Sequence, residues 1–362
     1  MNIPNNVLAF SQTYGVTELI ESFADYYNQY KSEVMNKPTV FSKTMDFAEK
    51  GKLLHASIEA TIARISGVST CGFSEAVVRS NPNYQWATFA VIGAIVDPVI
   101  ADSVNSDFGR FAEVRNGGFG DTFSFDIKSS DLFITTKAGN GKRHAFAQRQ
   151  HNGQATLVPE NRMLTVGEDL YRILSGKRNL AEYAIKVALS FEEELATEIY
   201  NAINDTYGSL PANFTAASFT QATFIPICAK VKAFNGGASV GVFGTQVALS
   251  SILPTDVQLR YELGAEYNKT GFLTQYQGVN LYCMDQKADW TSSTYATKLD
   301  DTRLYIIPSS SDKLVKVAIE GETMTFADTI STNATLTQKQ TMHKKFAVAL
   351  ISSAKFGIID LS

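Results

Sequence analysis

The apolar positions near the start of the chain recur with a helical period. Val16, Leu19, Ile20, Phe23, Tyr26, Tyr27 and Tyr30 lie three or four residues apart, the spacing of one helix face. Pro38 stops that run. A second helix is predicted from about Ser42 to Ile65, with Leu54, Ile58, Ile62 and Ile65 on one face and Gly67 as its end signal. The two helices make a somewhat detached N-terminal arm over residues 1–80. Between Gly117 and about Pro159 the period falls to two. Phe123, Phe125 and Ile127 alternate with polar residues, as on a half-buried strand. "LFITTK" follows, "AGNGKR" turns the chain, and "HAFAQRQHNGQATLV" runs back. The pattern predicts a long two-stranded hairpin with a basic tip of Lys137, Lys142, Arg143, His144, Arg149 and His151. Such a hairpin is marginal alone and needs a surface to lie on.

The strongest helical rhythm runs from about Asn179 to Ile203. Leu180, Ala184, Val187, Phe191, Leu195, Ile199 and Ile203 form the stripe, and Asn179 is the predicted N-cap. Beyond it the periods mix. "FTQATFIPICAKVKAF" predicts a helix after Thr220, and "SVGVFGTQVALSSIL" a buried strand followed by a helix. "TGFLTQYQGVNLYCMDQ" reads as two turns and a strand, and "TRLYIIPSSSDKLVKVAIEGE" as two strands joined by a Ser-rich turn. The segment from Met324 to Ser362 is strand-like, and "FAVALISSAKFGIIDL" is apolar enough to be buried. The overall class is α+β.

Composition narrows the function. Charged residues make up 19% of the 362 residues, and the formal net charge is -4. Low charge fits a surface hidden against partners, and an acidic balance does not recommend nucleic acid as a direct ligand. Cys71, Cys228 and Cys283 lie far apart, so neither a disulfide framework nor a zinc site is expected. The first residues show no secretory signal pattern. "WATFAVIGAIVDPVIA" is the most apolar run, but Asp97 and Pro98 interrupt it, and a buried core strand or helix is expected there.

Candidate chemistry is sparse. "GASVG", Gly237 to Gly241, matches the nucleophile elbow with Ser239 as nucleophile. That motif needs a strand before it and a helix after it, and the pattern here predicts the reverse. "GNGKR" lacks the first glycine and the final hydroxyl residue of a phosphate loop. His55, His144, His151 and His343 do not pair on a helix face. No metal or other cofactor, and no enzymatic activity, is expected. Glu192, Glu193 and Glu194 read either as a solvated helix face or as a docking strip for a basic element of a neighbour, such as the hairpin tip.

The layout resembles the major capsid proteins of tailed phages, with their Hong Kong 97-type fold. Three stretches carry the resemblance. "GDTFSFDIKSSDLFITTKAGNGKRHAFAQRQHNG" looks like the extended loop, and "RNLAEYAIKVALSFEEELATEIYNAI" like the spine helix. "GFLTQYQGVNLYCMDQ" with "RLYIIPSSSDKLVKVAIEGE" looks like the axial domain and the strand that leaves it. The resemblance implies an arm at 1–80 and a first peripheral part at 81–218, with the loop at 117–160 and the spine helix at 179–204. It implies an axial domain at 219–320 and returning peripheral strands at 321–362. Gly271 and Gly278 would then allow close approach around five-fold and six-fold axes, with Tyr276 as a packing anchor.

The resemblance further implies self-assembly into pentamers and hexamers of an icosahedral virion shell, formed in the host cytoplasm and enclosing double-stranded DNA without specific binding. A portal, a separate scaffolding protein and a decoration protein are the implied partners, and no membrane. An encapsulin-type nanocompartment shell has the same fold and stands as an alternative. A serine hydrolase using Ser239 is the alternative from another class.

Overall fold

The computed structural model describes residues 5–68, 82–129, 131–137, 147–149, 152–169, 179–253, 257–309, 312–327 and 337–361. Among the described residues the helices α1 Asn5–Tyr14, α2 Thr17–Glu33, α3 Phe47–Ser66 and α4 Pro82–Phe108 come first. Gly67 ends α3 in the left-handed conformation, φ +70°, as the sequence predicts. Strands β1 Ala112–Gly117, β2 Phe123–Ile127, β3 Gly153–Leu157 and β4 Glu160–Asp169 lead to helix α5, Leu180–Asn204. The Asn179 side chain caps α5 by accepting from the Ala181 and Glu182 amides.

A mixed region follows: β5 Thr215–Ala216, α6 Gln221–Phe234, β6 Val240–Gly244, α7 Gln246–Ser250, α8 Val257–Thr270, β7 Gln275–Tyr276, β8 Val279–Cys283 and β9 Arg303–Pro308. Thr220 opens α6 with a reciprocal capping box to Thr223. The chain closes with β10 Val315–Ala327, β11 Thr337–Leu350 and β12 Gly357–Asp360.

The strands form two main sheets. The first has the order β1-β10-β11-β4, and the second β5-β12-β9-β6-β8-β7. β1 lies parallel to β10, while β10–β11 and β11–β4 are antiparallel. This corrects the predicted domain bounds. β10 starts at Val315 and belongs to the first sheet, so the second module ends near Pro308. The last strand, β12, does not return to the first sheet. It pairs with β9 through Ile358↔Tyr305 and Ile359↔Leu304. The two strands around the Ser-rich turn therefore do not pair with each other.

Helix α5 links the layers. Its N-terminal half, with Ala184, Val187 and Phe191, shares one core with α2 and α4. Its C-terminal half, with Leu195, Ile199 and Ile203, shares another with Val315, Val317, Ile307 and Ile358 from both sheets. A third core lies against the second sheet, where Phe224, Cys228 and Val231 of α6 meet Val242, Leu281, Ile306 and Ile359. Each fully buried Ile, Val or Phe contributes about 1.5–3 kcal/mol.

Two further expectations change. The arm is not detached, because Ile20, Phe23 and Tyr27 of α2 lie in the core with Ile92 and Ile95 of α4. Pro98 does not break α4 either, although it removes one helical donor. Ile95, Val96, Val99 and Ile100 are buried on both sides of it, and that packing outweighs the lost bond. Trp86–Phe108 is long and apolar enough to cross a membrane, but its apolar window is 89% buried within the fold. Asp97 is buried too. It accepts from the Thr323 amide at 2.7 Å and from Lys344 Nζ at 2.5 Å.

Candidate functional site

The hairpin begins as the alternation predicts. β2 and β3 pair antiparallel, Phe123↔Leu157 and Phe125↔Ala155. Phe123 and Phe125 are buried against Ala318 of β10. The Arg115 guanidinium lies 4.5 Å over the Phe125 ring and donates to the Ser124 carbonyl at 2.5 Å. Beneath the same ring, Lys316 is fully buried between Asp312 at 2.7 Å and Glu113 at 2.8 Å. Burial opposes ionisation of Glu113, but bonds from Lys316 and Arg115 prevail and hold its carboxyl below the usual range.

Beyond this base the structure differs from the prediction. Residues 131–137 and 147–149 form no strand. The Gln148 amide holds the two segments together, donating to the Ile134 carbonyl at 2.6 Å and accepting its N–H at 2.8 Å. Leu132, Phe133 and Ile134 are 80%, 60% and 75% exposed. Lys137 and Arg149 are exposed beside them. Lys142, Arg143, His144 and His151 lie outside the described residues.

The acidic strip splits. Glu192 is 3% exposed and faces inward, so it is not part of a docking strip. Lys31 of α2 donates to it at 2.8 Å, and the Tyr27 hydroxyl donates to its other oxygen. Burial works against its charge, but the Lys31 ammonium and these hydrogen bonds hold its carboxyl below the usual range. Burial, followed by the Glu192 charge, raises the Tyr27 hydroxyl. Glu193 and Glu194 lie outside this network. Glu193 accepts from Trp290 Nε1 at 3.2 Å, and Glu194 lies 3.7 Å from Lys298 Nζ. Both partners belong to the β8–β9 loop, which the sequence reading did not single out.

In the second module, Tyr276 is buried within its own chain and packs on Phe224 and Phe219, ring centroids 5.5 and 6.1 Å away. It anchors the core of its own module. Gly278 has φ +76° and follows Gln277 at φ +49°, the geometry of a tight hairpin turn between β7 and β8. Gly271 ends α8 at φ +77°, and a Cβ there would meet Gln246 Nε2 at 2.3 Å. Local backbone geometry accounts for both glycines.

The hydrolase alternative loses its geometry. α6 precedes Ser239 and β6 follows it, the reverse of an elbow. Ser239 borders the second sheet, whereas His343 lies on β11 of the first and pairs through Nδ1 with Asn161. Cys228 is buried, which pushes its thiol up to about 12 and makes it a poor nucleophile.

Comparison with known proteins fits this layout. Over residues 27–360 the sequence matches the family described as SPbeta prophage-derived putative capsid protein YonB. No curated protein sequence matches. Among solved structures, the capsid of a native GTA particle gives a TM-score of 0.51 at 8% identity, covering 71% of this chain and 90% of that one. The mature capsid of bacteriophage PhiM1 gives 0.49 at 11%, covering 70% and 86%. The head of Helicobacter pylori bacteriophage KHP40 gives 0.46 at 13%, covering 70% and 89%. The chain belongs to this family of prophage-derived putative capsid proteins and has the Hong Kong 97-type phage capsid fold.

Proposed function

We propose that this chain, a structural subunit of a phage capsid, closes into pentamers and hexamers of an icosahedral head around double-stranded DNA. The observation that carries the reading is the hairpin. Its base is bolted to the first sheet by Phe123 and Phe125, while Leu132, Phe133 and Ile134 stay exposed. An exposed apolar run on a segment fixed at one end marks an interaction site. Heterologous contacts of this kind close rings when the rotation fits.

The hairpin then lies over a neighbour's spine helix, near Glu193 and Glu194. The arm helices, packed on their own spine helix, stiffen the subunit and do not reach for a neighbour. The shell has no enzymatic role and encloses DNA without gripping it, in keeping with the net charge of -4. A portal, a separate scaffolding protein and a decoration protein complete the head, which assembles in the host cytoplasm.

The test is to purify the chain and examine it by size-exclusion chromatography and negative-stain microscopy, alone and with the scaffolding protein co-expressed. Hollow shells, or rings of five and six subunits, are expected. A monomer or dimer under both conditions would overturn the proposal.

A further inference from the structure

We infer that Lys37 is a latch across the boundary between the arm and the second module, through which a change in that module reaches the segment that follows α2.

Residues 34–46, between α2 and α3, form neither helix nor strand. They are held as a strap that runs back along α2. The Lys37 amide donates to the Lys31 carbonyl at 3.0 Å, the Thr39 hydroxyl to the Asn28 carbonyl at 2.6 Å, and the Ser42 amide to Asp25 Oδ1 at 2.7 Å. Asn36 turns the chain with φ +54°, a conformation that asparagine adopts more readily than most residues. The strap is thus tied to α2 from Lys37 to Ser42, and this places the Lys37 side chain.

The Lys37 ammonium lies 3.2 Å from Asp107 Oδ2, near the end of α4, and 2.9 Å from Asp285 Oδ2, just after β8. Burial opposes its charge, but the two carboxylates prevail and hold it above its ordinary value. Both carboxylates are anchored. Asp107 also lies 3.7 Å from Lys31, which is paired with Glu192. Asp285 stands between Met284, whose amide donates to the Gly244 carbonyl of β6 at 2.8 Å, and Gln286, which bonds both the carbonyl and the amide of Leu299. Charges of alternating sign therefore run from the spine helix to the second sheet: Glu192, Lys31, Asp107, Lys37 and Asp285.

The surroundings make this bridge a tie that opens. The core that holds α2 contains no described residue of the second module. Among the described residues, Lys37–Asp285 is the one ion pair between the arm and that module. Around it lies a cleft of about 1230 Å³, bordered by the strap, by Tyr27 of α2 and by Tyr282 of β8. Opening the bridge therefore unpacks no apolar core. The Asp285 side chain is 58% exposed, against 19% for Lys37 and 27% for Asp107. Water solvates Asp285 when it lets go, while Asp107 stays with the buried ammonium. An ion pair of such exposure is weak and reversible. While closed, it keeps the arm and the second module from moving independently, so the subunit has less freedom to lose in any contact it makes.

The test is hydrogen exchange read by mass spectrometry on the unassembled full chain, so its outcome is independent of the shell reading. Asp285→Ala removes the carboxylate from the second module. It should speed exchange of the strap amides within residues 35–46 about fivefold, the scale of a partly exposed ion pair, and leave β11 at the wild-type rate. Lys37→Met should act in the reverse direction and loosen residues 284–299 by a similar factor, because coupling between two sites is reciprocal. Wild-type exchange in the strap of Asp285→Ala, or in residues 284–299 of Lys37→Met, would overturn the inference. So would an equal acceleration in β11, which marks a general loss of stability and not a released latch.

Discussion

Replacing Lys31 with methionine tests how the arm is held to the spine helix. The substitution keeps the length of the side chain and removes the ammonium 2.8 Å from Glu192. Glu192 then remains buried, with the Tyr27 hydroxyl as a donor but no cation. Removing one member of a buried ion pair costs about 3–5 kcal/mol. The unfolding entropy, at about 2.1 cal/mol/K per residue, comes to about 0.76 kcal/mol/K over the 362 residues. The expected loss of Tm is therefore about 4–7 °C for a chain that unfolds as one unit. Calorimetry of unassembled subunits measures it.

The pH dependence adds a check. In the wild type the Glu192 carboxyl is held low, so its stabilising contribution is present above the usual carboxylate range and is lost as pH falls from that range through the lowered folded value. In Lys31→Met burial dominates and raises that group, so protonation relieves the strain and the gap to wild type narrows as pH falls below neutral. The double variant Lys31→Met with Glu192→Met should regain most of the loss, because an apolar pair of similar volume substitutes well for a buried ion pair. The reasoning is refuted if the single variant costs less than about 1 kcal/mol, or if the double variant is no more stable than the single.

Three other outcomes are expected. Asn179→Ala removes the α5 cap and should cost about 1 kcal/mol, read from urea unfolding. Gly278→Ala should cost about 1–2 kcal/mol in the same assay, through its left-handed backbone. A Cβ there meets nothing within 4 Å, so Gly278→Asn, which tolerates that conformation, should recover part of the loss. Lys142→Glu with Arg143→Glu should weaken assembly, followed by light scattering, and make it less sensitive to salt; normal assembly by this variant would remove the charge-docking idea.

The helices were legible where one apolar stripe coincided with a cap. Asn179 and the stripe through Ile203 set α5 to within a residue. Glu192 was misread because three glutamates in a row look like a solvated face. The useful signal was the second stripe of Ala181, Ile185, Ala188 and Ala196, which Glu192 interrupts, facing the buried Lys31 of α2. The hairpin base showed in the alternation of Phe123 and Phe125. Leu132, Phe133 and Ile134 do not alternate, and no strand forms there. The destination of β12 was not legible, since "GIID" specifies a buried strand but no partner. The β8–β9 loop was missed because its order comes from side-chain hydrogen bonds that leave no period in the sequence.

Cryo-electron microscopy of the assembled particle tests the central claim most directly. The account predicts an icosahedral shell of this chain in rings of five and six, with the hairpin of each subunit lying across its neighbour. Particles without icosahedral symmetry, or a shell in which each hairpin folds back on its own subunit, would contradict it.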